Sequence, residues 1–236
     1  MRFEQNMSMI YVHIPKCGSS FATILLRLAC NIAASKPVLE PGGYKTCGNY
    51  NNGHAPLRVD PRQHFVITML RSPASRVASG FMHNMHDAPL LQKRYKLNEH
   101  APVRFWENRL KKMSQSELEF LFGTYQHTVG CCVTNMLTGF GCGSPCSRSR
   151  ILLATAKLPH FHFIGINELW NDSISYFARL HDTVPRSVEL MPGRSHPMTN
   201  MYKTVKRLSL RYTYDDDHVY SQAVALMVPK FKSVTV

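Results

Sequence analysis

Met9-Ile10-Tyr11-Val12-His13-Ile14-Pro15-Lys16-Cys17-Gly18-Ser19-Ser20-Phe21 decides the fold. Met9 to Ile14 is a mostly apolar run of strand length, so a buried strand is predicted there. Pro15 to Ser20 reads as a tight loop, and a helix is predicted from near Phe21. Strand, loop and helix in this order build an anion site: the loop offers backbone N–H groups and the helix start adds partial positive charge. Gly18 lets the backbone approach a ligand closely. Ser19 and Ser20 can cap the helix or bind phosphate oxygens, and Lys16 supplies a mobile full charge.

Working outward, Phe21, Ile24, Leu25, Leu28 and Ile32 recur at helical spacing and make one apolar face. His64 to Leu70 is a second apolar run, ending in Arg71-Ser72-Pro73. Ser before Pro starts a helix well, with Ser72 as N-cap and Pro73 in the first turn. That helix is predicted to run toward His83. Residues 87–126 read as mixed helical segments and loops, with a helix over 126–137 and a loop over 139–149. A helix over 151–158 and a strand over 160–166 follow, the strand ending in Asn167-Glu168. Asp172 is expected to cap the next helix, 185–200 reads as a loop, and a last helix starts near Asp215. Strands alternating with helices predict an α/β chain with a mainly parallel central sheet flanked by helices.

The chain has 236 residues and 44% hydrophobic content, enough for one large domain spanning 1–236. A formal charge of +13 suggests anionic partners. The charge is spread out, without an arginine-rich tail or a nucleic-acid module, so a phosphate-rich small ligand is expected rather than nucleic acid. Hydrophobic runs are short; 22–34 contains Arg27 and Asn31, so no membrane span is expected. Among the seven cysteines, Cys131, Cys132, Cys142 and Cys146 cluster without paired Cys-x2-Cys knuckles, which argues against zinc. Small buried thiols are expected, with one local disulfide in an oxidising compartment as the alternative.

The first loop is not a nucleotide-kinase loop, which has Gly-x4-Gly-Lys-[Ser/Thr]; here Lys16 precedes Gly18. Nor does an acid for Mg²⁺ follow the second strand, where Arg71 stands. Ile14-Pro15-Lys16-Cys17-Gly18-Ser19-Ser20 resembles the 5′-phosphosulfate loop of sulfotransferases that use 3′-phosphoadenosine 5′-phosphosulfate (PAPS). Leu70-Arg71-Ser72-Pro73, continuing to Arg76 and Ser79, resembles their 3′-phosphate motif, with Ser72 where Asp is common. Phe163 to Glu168 is similar to a segment of carbohydrate sulfotransferases, and Asp217 to Tyr220 is a weaker match.

The resemblance implies a P-loop-like three-layer fold and sulfuryl transfer from PAPS to a hydroxyl acceptor of the carbohydrate class, with no metal. It implies cofactor contacts from Lys16, Cys17, Gly18, Ser19, Ser20, Phe21, Arg71 and Ser79. Lys16 is the expected catalytic cation at the leaving oxygen. His54 is the expected base: Gly53-His54 resembles the Gly-His element of uronyl 2-O-sulfotransferases, and imidazole titrates near neutrality. His13, His83 and Glu168 are competitors for that role. Family analogy points to the Golgi lumen, and the chain as it stands to a soluble protein of either the cytosol or that lumen. The alternatives are a P-loop phosphotransferase and a non-catalytic basic glycan-binding module.

Overall fold

A computed structural model of the chain describes residues 9–18, 24, 25, 28, 54–98, 102–187, 189, 190 and 199–233. Ser19, Ser20, Phe21, Ile32, Gly53, Arg194, Ser195 and His196 lie outside them. Strands β1 (Met9–Val12), β2 (Phe65–Leu70) and β3 (Phe163–Ile166) form an all-parallel sheet in the order β1-β2-β3. Val12 pairs with Thr68, and Leu70 with Ile166. The buried Thr68 hydroxyl donates to the Val12 carbonyl at 2.9 Å, tying the carboxyl ends of β1 and β2 together. Because all three strands run the same way, their exits share one rim: Pro15-Lys16, Arg71-Ser72 and Asn167-Glu168.

Helices α1 (Pro73–Met82), α2 (Pro89–Arg94), α3 (Val103–Leu110) and α4 (Gln115–Val129) follow β2. Then come α5 (Cys132–Leu137) and α6 (Arg148–Lys157) before β3, and α7 (Trp170–Leu180), α8 (Asn200–Ser209) and α9 (Asp216–Lys232) after it. Ile24, Leu25 and Leu28 are helical and buried, as their spacing predicts. No helix among the described residues is long and apolar enough to cross a membrane.

Two apolar cores result. One joins the sheet to α5, α6, α7 and α9; the other joins α1 to α2, α3, α4 and α8. They meet where α1 packs on α9. There Arg76, 3% exposed, lies 3.3 Å from the Oδ2 of Asp216, which is fully buried. Arg76 also donates to the Val129 carbonyl at 2.6 Å. Asp216 accepts the Val133 and Thr134 backbone N–H groups at 2.9 and 2.8 Å, so its carboxylate closes the start of α5.

Several local expectations are corrected. Ser72 occupies the N-cap of α1, but its side chain makes no capping bond; a carboxylate from β3's exit takes that place, as described below. Asp172 does not cap α7, which begins two residues earlier at Trp170. The predicted helix over 126–137 is two helices broken at Gly130-Cys131. The strand expected from residue 160 starts at Phe163, after a 3₁₀ turn over Leu158–His160. The four clustered cysteines are paired, Cys131 with Cys146 and Cys132 with Cys142, rather than free thiols. Both bonds pin the 139–149 loop to the start of α5.

Candidate functional site

β1 turns sharply at its end: Ile14 N–H donates to Val12 O at 3.1 Å, and Cys17 N–H to Ile14 O at 3.2 Å. Lys16 sits at φ 63° and Gly18 at φ 109°. The first is costly for a side chain; at the second a Cβ would also come 3.1 Å from Asn167 Nδ2, so glycine lets the loop lie against β3's exit. Cys17 is fully buried in the sheet core. Burial pushes its thiol up to about 12, against the opposing pull of Arg76 and Arg71, so it is no nucleophile at neutral pH. Its role in the loop is packing plus the turn-closing N–H.

At β2's exit, Arg71 Nη1 donates to the Lys16 carbonyl at 3.3 Å, while its Nε is buried with no hydrogen-bond partner among the described residues. The guanidinium thus clamps the loop's main chain and keeps donor capacity. From β3's exit, Glu168 Oε1 accepts the Ser72 N–H at 3.0 Å, and its Oε2 accepts from the Tyr220 hydroxyl at 2.9 Å. A carboxylate at a helix N-terminus is well placed electrostatically. Glu168 therefore ties β3, α1 and α9 together at the rim that also carries Arg71 and Lys16.

Ser79 lies two turns into α1 and lines a cavity of about 210 Å³ with His83, Arg104, Glu107, Thr199 and Tyr202. Arg71 is not among the residues lining this cavity.

At the next residue, a Cβ at Gly80 would overlap the Tyr125 hydroxyl and come 3.7 Å from Lys16 Cγ. Glycine here leaves room for the Tyr125 hydroxyl, with the Lys16 side chain at ordinary contact distance from the same point. The Tyr125 hydroxyl donates to the His86 carbonyl at 2.8 Å, and His86 N–H donates back to Gly80 O at 3.0 Å. These bonds fold residues 83–88 over the end of α1, with Asn84, Met85 and Asp87 all at positive φ. Asn and Asp tolerate that region; Met does not, so the turn is held against local strain.

The turn presents His86 and Asp87 to His54. His54 Nδ1 lies 3.1 Å from Asp87 Oδ1, and His86 Nε2 lies 3.4 Å from Asp87 Oδ2. The His13 ring packs edge-on to His54 with centroids 4.8 Å apart, and His54 packs the same way on His86 at 5.0 Å. Burial, with help from Lys16, His54 and His83, lowers His86 to about 4 despite the neighbouring Asp87. Burial works to raise Asp87, but the His54 hydrogen bond and the charges of His86, His54 and Arg76 hold it below its ordinary value. At neutral pH the cluster therefore holds a neutral His86 beside an ionised Asp87. With Asp87 on Nδ1, His54 is oriented as in a His–carboxylate pair and its Nε2 is left to take a proton.

The structure thus gathers Lys16, Gly18 and Arg71 at one rim and connects Lys16 to the cluster holding His54. Sequence reasoning missed Asp87 and His86. The available signal was the density of His83, His86 and Asp87 directly after a helix end. His54, His86 and Asp87 also form a group of potential metal ligands. Cys131, Cys146 and Asp215 form another by distance, but their sulfurs are spent in a disulfide. No protein-family model, curated protein or solved structure matches this chain.

Proposed function

We propose that the chain transfers a sulfuryl group from PAPS to a hydroxyl group, with a carbohydrate as the acceptor class, on a P-loop-like three-layer fold. The observation that carries the reading is the position of Lys16. Arg71 clamps its carbonyl, and its side chain lies against Gly80, close enough to His86 to depress that imidazole. The expected phosphosulfate cation and the expected base cluster therefore stand together, although the sequence separates Lys16 from His54 by 38 residues, 54 minus 16.

The chemistry divides as follows. Lys16 and Arg71 hold the 5′-phosphosulfate end, and Lys16 stabilises charge on the bridging oxygen as the S–O bond breaks. Ser79 and Arg104 line the cavity available to a second anionic group. The acceptor oxygen forms the new bond to sulfur, its proton passes to His54 Nε2, and adenosine 3′,5′-bisphosphate departs. Asp87 holds the His54 tautomer and stabilises the imidazolium that forms.

Thermal unfolding with adenosine 3′,5′-bisphosphate, against 5′-AMP and ATP–Mg²⁺, tests the reading. Saturation at 100 times Kd stabilises by about 2.7 kcal/mol, a rise of roughly 5–10 °C for a chain of this size. A rise that needs the 3′-phosphate and vanishes in Arg71→Ala supports the site, and transfer of labelled sulfate to a glycan then tests the reaction. A rise with ATP–Mg²⁺ alone assigns the chain to phosphotransfer instead, and none with any nucleotide favours a non-catalytic binding module.

A further inference from the structure

The geometry points to a second use of the His54–His86–Asp87 cluster: it is a binding site for a borderline divalent ion of the Zn²⁺ type. The three donor atoms all lie within 4.8 Å of one another. His54 Nδ1 lies 3.1 Å from Asp87 Oδ1 and His86 Nε2 lies 3.4 Å from Asp87 Oδ2, so the two imidazoles face the two oxygens of one carboxylate. A tetrahedral ion with bonds of about 2.0–2.1 Å needs donors about 3.3 Å apart. Donor atoms within 4.8 Å of one another can draw in to that spacing around a single ion.

The frame is built to hold that spacing. His86 and Asp87 are adjacent on the turn that Tyr125 and Gly80 fix, and His54 reaches it from the loop before β2. Three protein ligands leave a fourth position for water, as in zinc sites that are not purely structural. Two imidazoles and one carboxylate favour Zn²⁺, Co²⁺ or Cu²⁺ over Mg²⁺ and Ca²⁺, which prefer all-oxygen shells. Lys16 and Arg76 stand close enough to act on this cluster electrostatically and oppose any cation there. The site therefore depends on nitrogen donation rather than on net charge, which sharpens the same preference.

Occupancy has a chemical consequence. A metal on His54 Nδ1 leaves the ring's proton on Nε2, so the ring can no longer accept one. This step alone rests on the sulfuryl-transfer reading, under which Zn²⁺ inhibits and chelation restores activity. Ion binding itself does not depend on it.

The test is calorimetric titration of Zn²⁺ into the chelator-stripped, disulfide-intact chain, with Mg²⁺ as the parallel titrant. One Zn²⁺ per cluster and no Mg²⁺ heat are expected. His54→Ala and His86→Ala each weaken Zn²⁺ by at least about tenfold, the lower end of losses seen even for groups behind the ligands. His127→Ala, on the exposed face of α4, leaves binding unchanged. Because His86 lies in the held turn, His54→Ala, whose ring is partly exposed, carries the decision if His86→Ala melts early. Zn²⁺ binding that is equally tight in His54→Ala, or absent from the wild-type chain, overturns the proposal. Neither outcome bears on adenosine 3′,5′-bisphosphate binding, so the two readings fail separately.

Discussion

Asp216→Ala is expected to be among the most destabilising single changes in this chain. The substitution leaves the Arg76 guanidinium, 3% exposed, without its counter-charge. It also strips the acceptor from the N–H groups of Val133 and Thr134. Breaking a buried pair from one side costs about 3–5 kcal/mol, and the two stranded N–H groups place the loss toward the upper end. At about 2–4 °C per kcal/mol for this chain length, the melting temperature falls by roughly 6–20 °C. Arg76→Met is expected to cost less. Burial already pushes the Asp216 carboxyl up against the pull of Arg76 and the two N–H groups, so without the arginine it can neutralise by taking a proton. A guanidinium has no such escape. The sign follows: lowering the pH toward the carboxylate range narrows the deficit of Arg76→Met, whereas that of Asp216→Ala does not narrow, because the wild-type carboxyl, raised in the folded state, gains stability as it takes its proton and alanine has none to take. Joining Arg76→Met to Asp216→Leu removes both charges and recovers part of the loss of Asp216→Leu alone. Circular dichroism melts of the five chains at two pH values read all of this. A fall under about 2 °C for Asp216→Ala, or a double variant no better than Asp216→Leu, refutes the buried-pair reasoning.

Lys16→Gly relieves the φ of 63° and is expected to gain up to about 1 kcal/mol, whereas Lys16→Met keeps the strain. Both are expected to lose the adenosine 3′,5′-bisphosphate shift, and wild-type nucleotide binding by Lys16→Met would show that the charge is not used. The Cys17 thiol, at about 12 and fully buried, is about one part in ten thousand ionised at pH 8. Iodoacetamide is expected to modify it only on unfolding, as peptide mapping after native and denatured exposure reports; native labelling at the rate of a free thiol refutes its burial. His181, its ring tilted against Phe177 with centroids 4.4 Å apart, is held below its ordinary value by burial. Its folded form resists the proton that the unfolded form takes, so its stability contribution is complete above about pH 6.5 and is lost as pH falls toward the lower folded value. His181→Gln is expected to reduce that acid slope in pH-dependent melts, and an unchanged slope counts against it.

What the sequence made legible was local. Met9–Ile14 and His64–Leu70 are apolar runs whose length and punctuation mark buried strands, and Ser72-Pro73 marks a helix start whatever lies nearby. Long-range pairing was not legible. His54 meets Asp87 across 33 residues through a turn with positive φ at Asn84, Met85 and Asp87, and none of these is glycine. Three aspartates stand together at 215–217, and only burial singles out Asp216 as the partner of Arg76. Glu168 lies in a matched segment, yet its bonds to Ser72 and Tyr220 depend on the β2–β3 register. One miss was avoidable: Ser114 and Glu117 form a capping box that opens α4, three residues apart in plain sequence.

The buried Arg76–Asp216 pair makes better sense as a device of registry than of stability, since an apolar pair of like volume serves stability as well. The strand-exit rim belongs to the sheet core and the His54 cluster to the end of α1, which is packed into the other core. Helix α1, packed into one core, reaches the other through Arg76 and Asp216, so its rotation bears on where one stands relative to the other. Arg76 and Gly80 are four residues apart and share a face of that helix. The rotation that seats Arg76 on Asp216 is the one that puts Gly80 beneath Tyr125 and the Lys16 side chain. A turn of one residue either way, roughly 100°, would bury the guanidinium away from its carboxylate and drive a side chain into Tyr125. Charge at one end and absence of a side chain at the other therefore select a single setting of α1, and that setting brings Lys16 to the histidines.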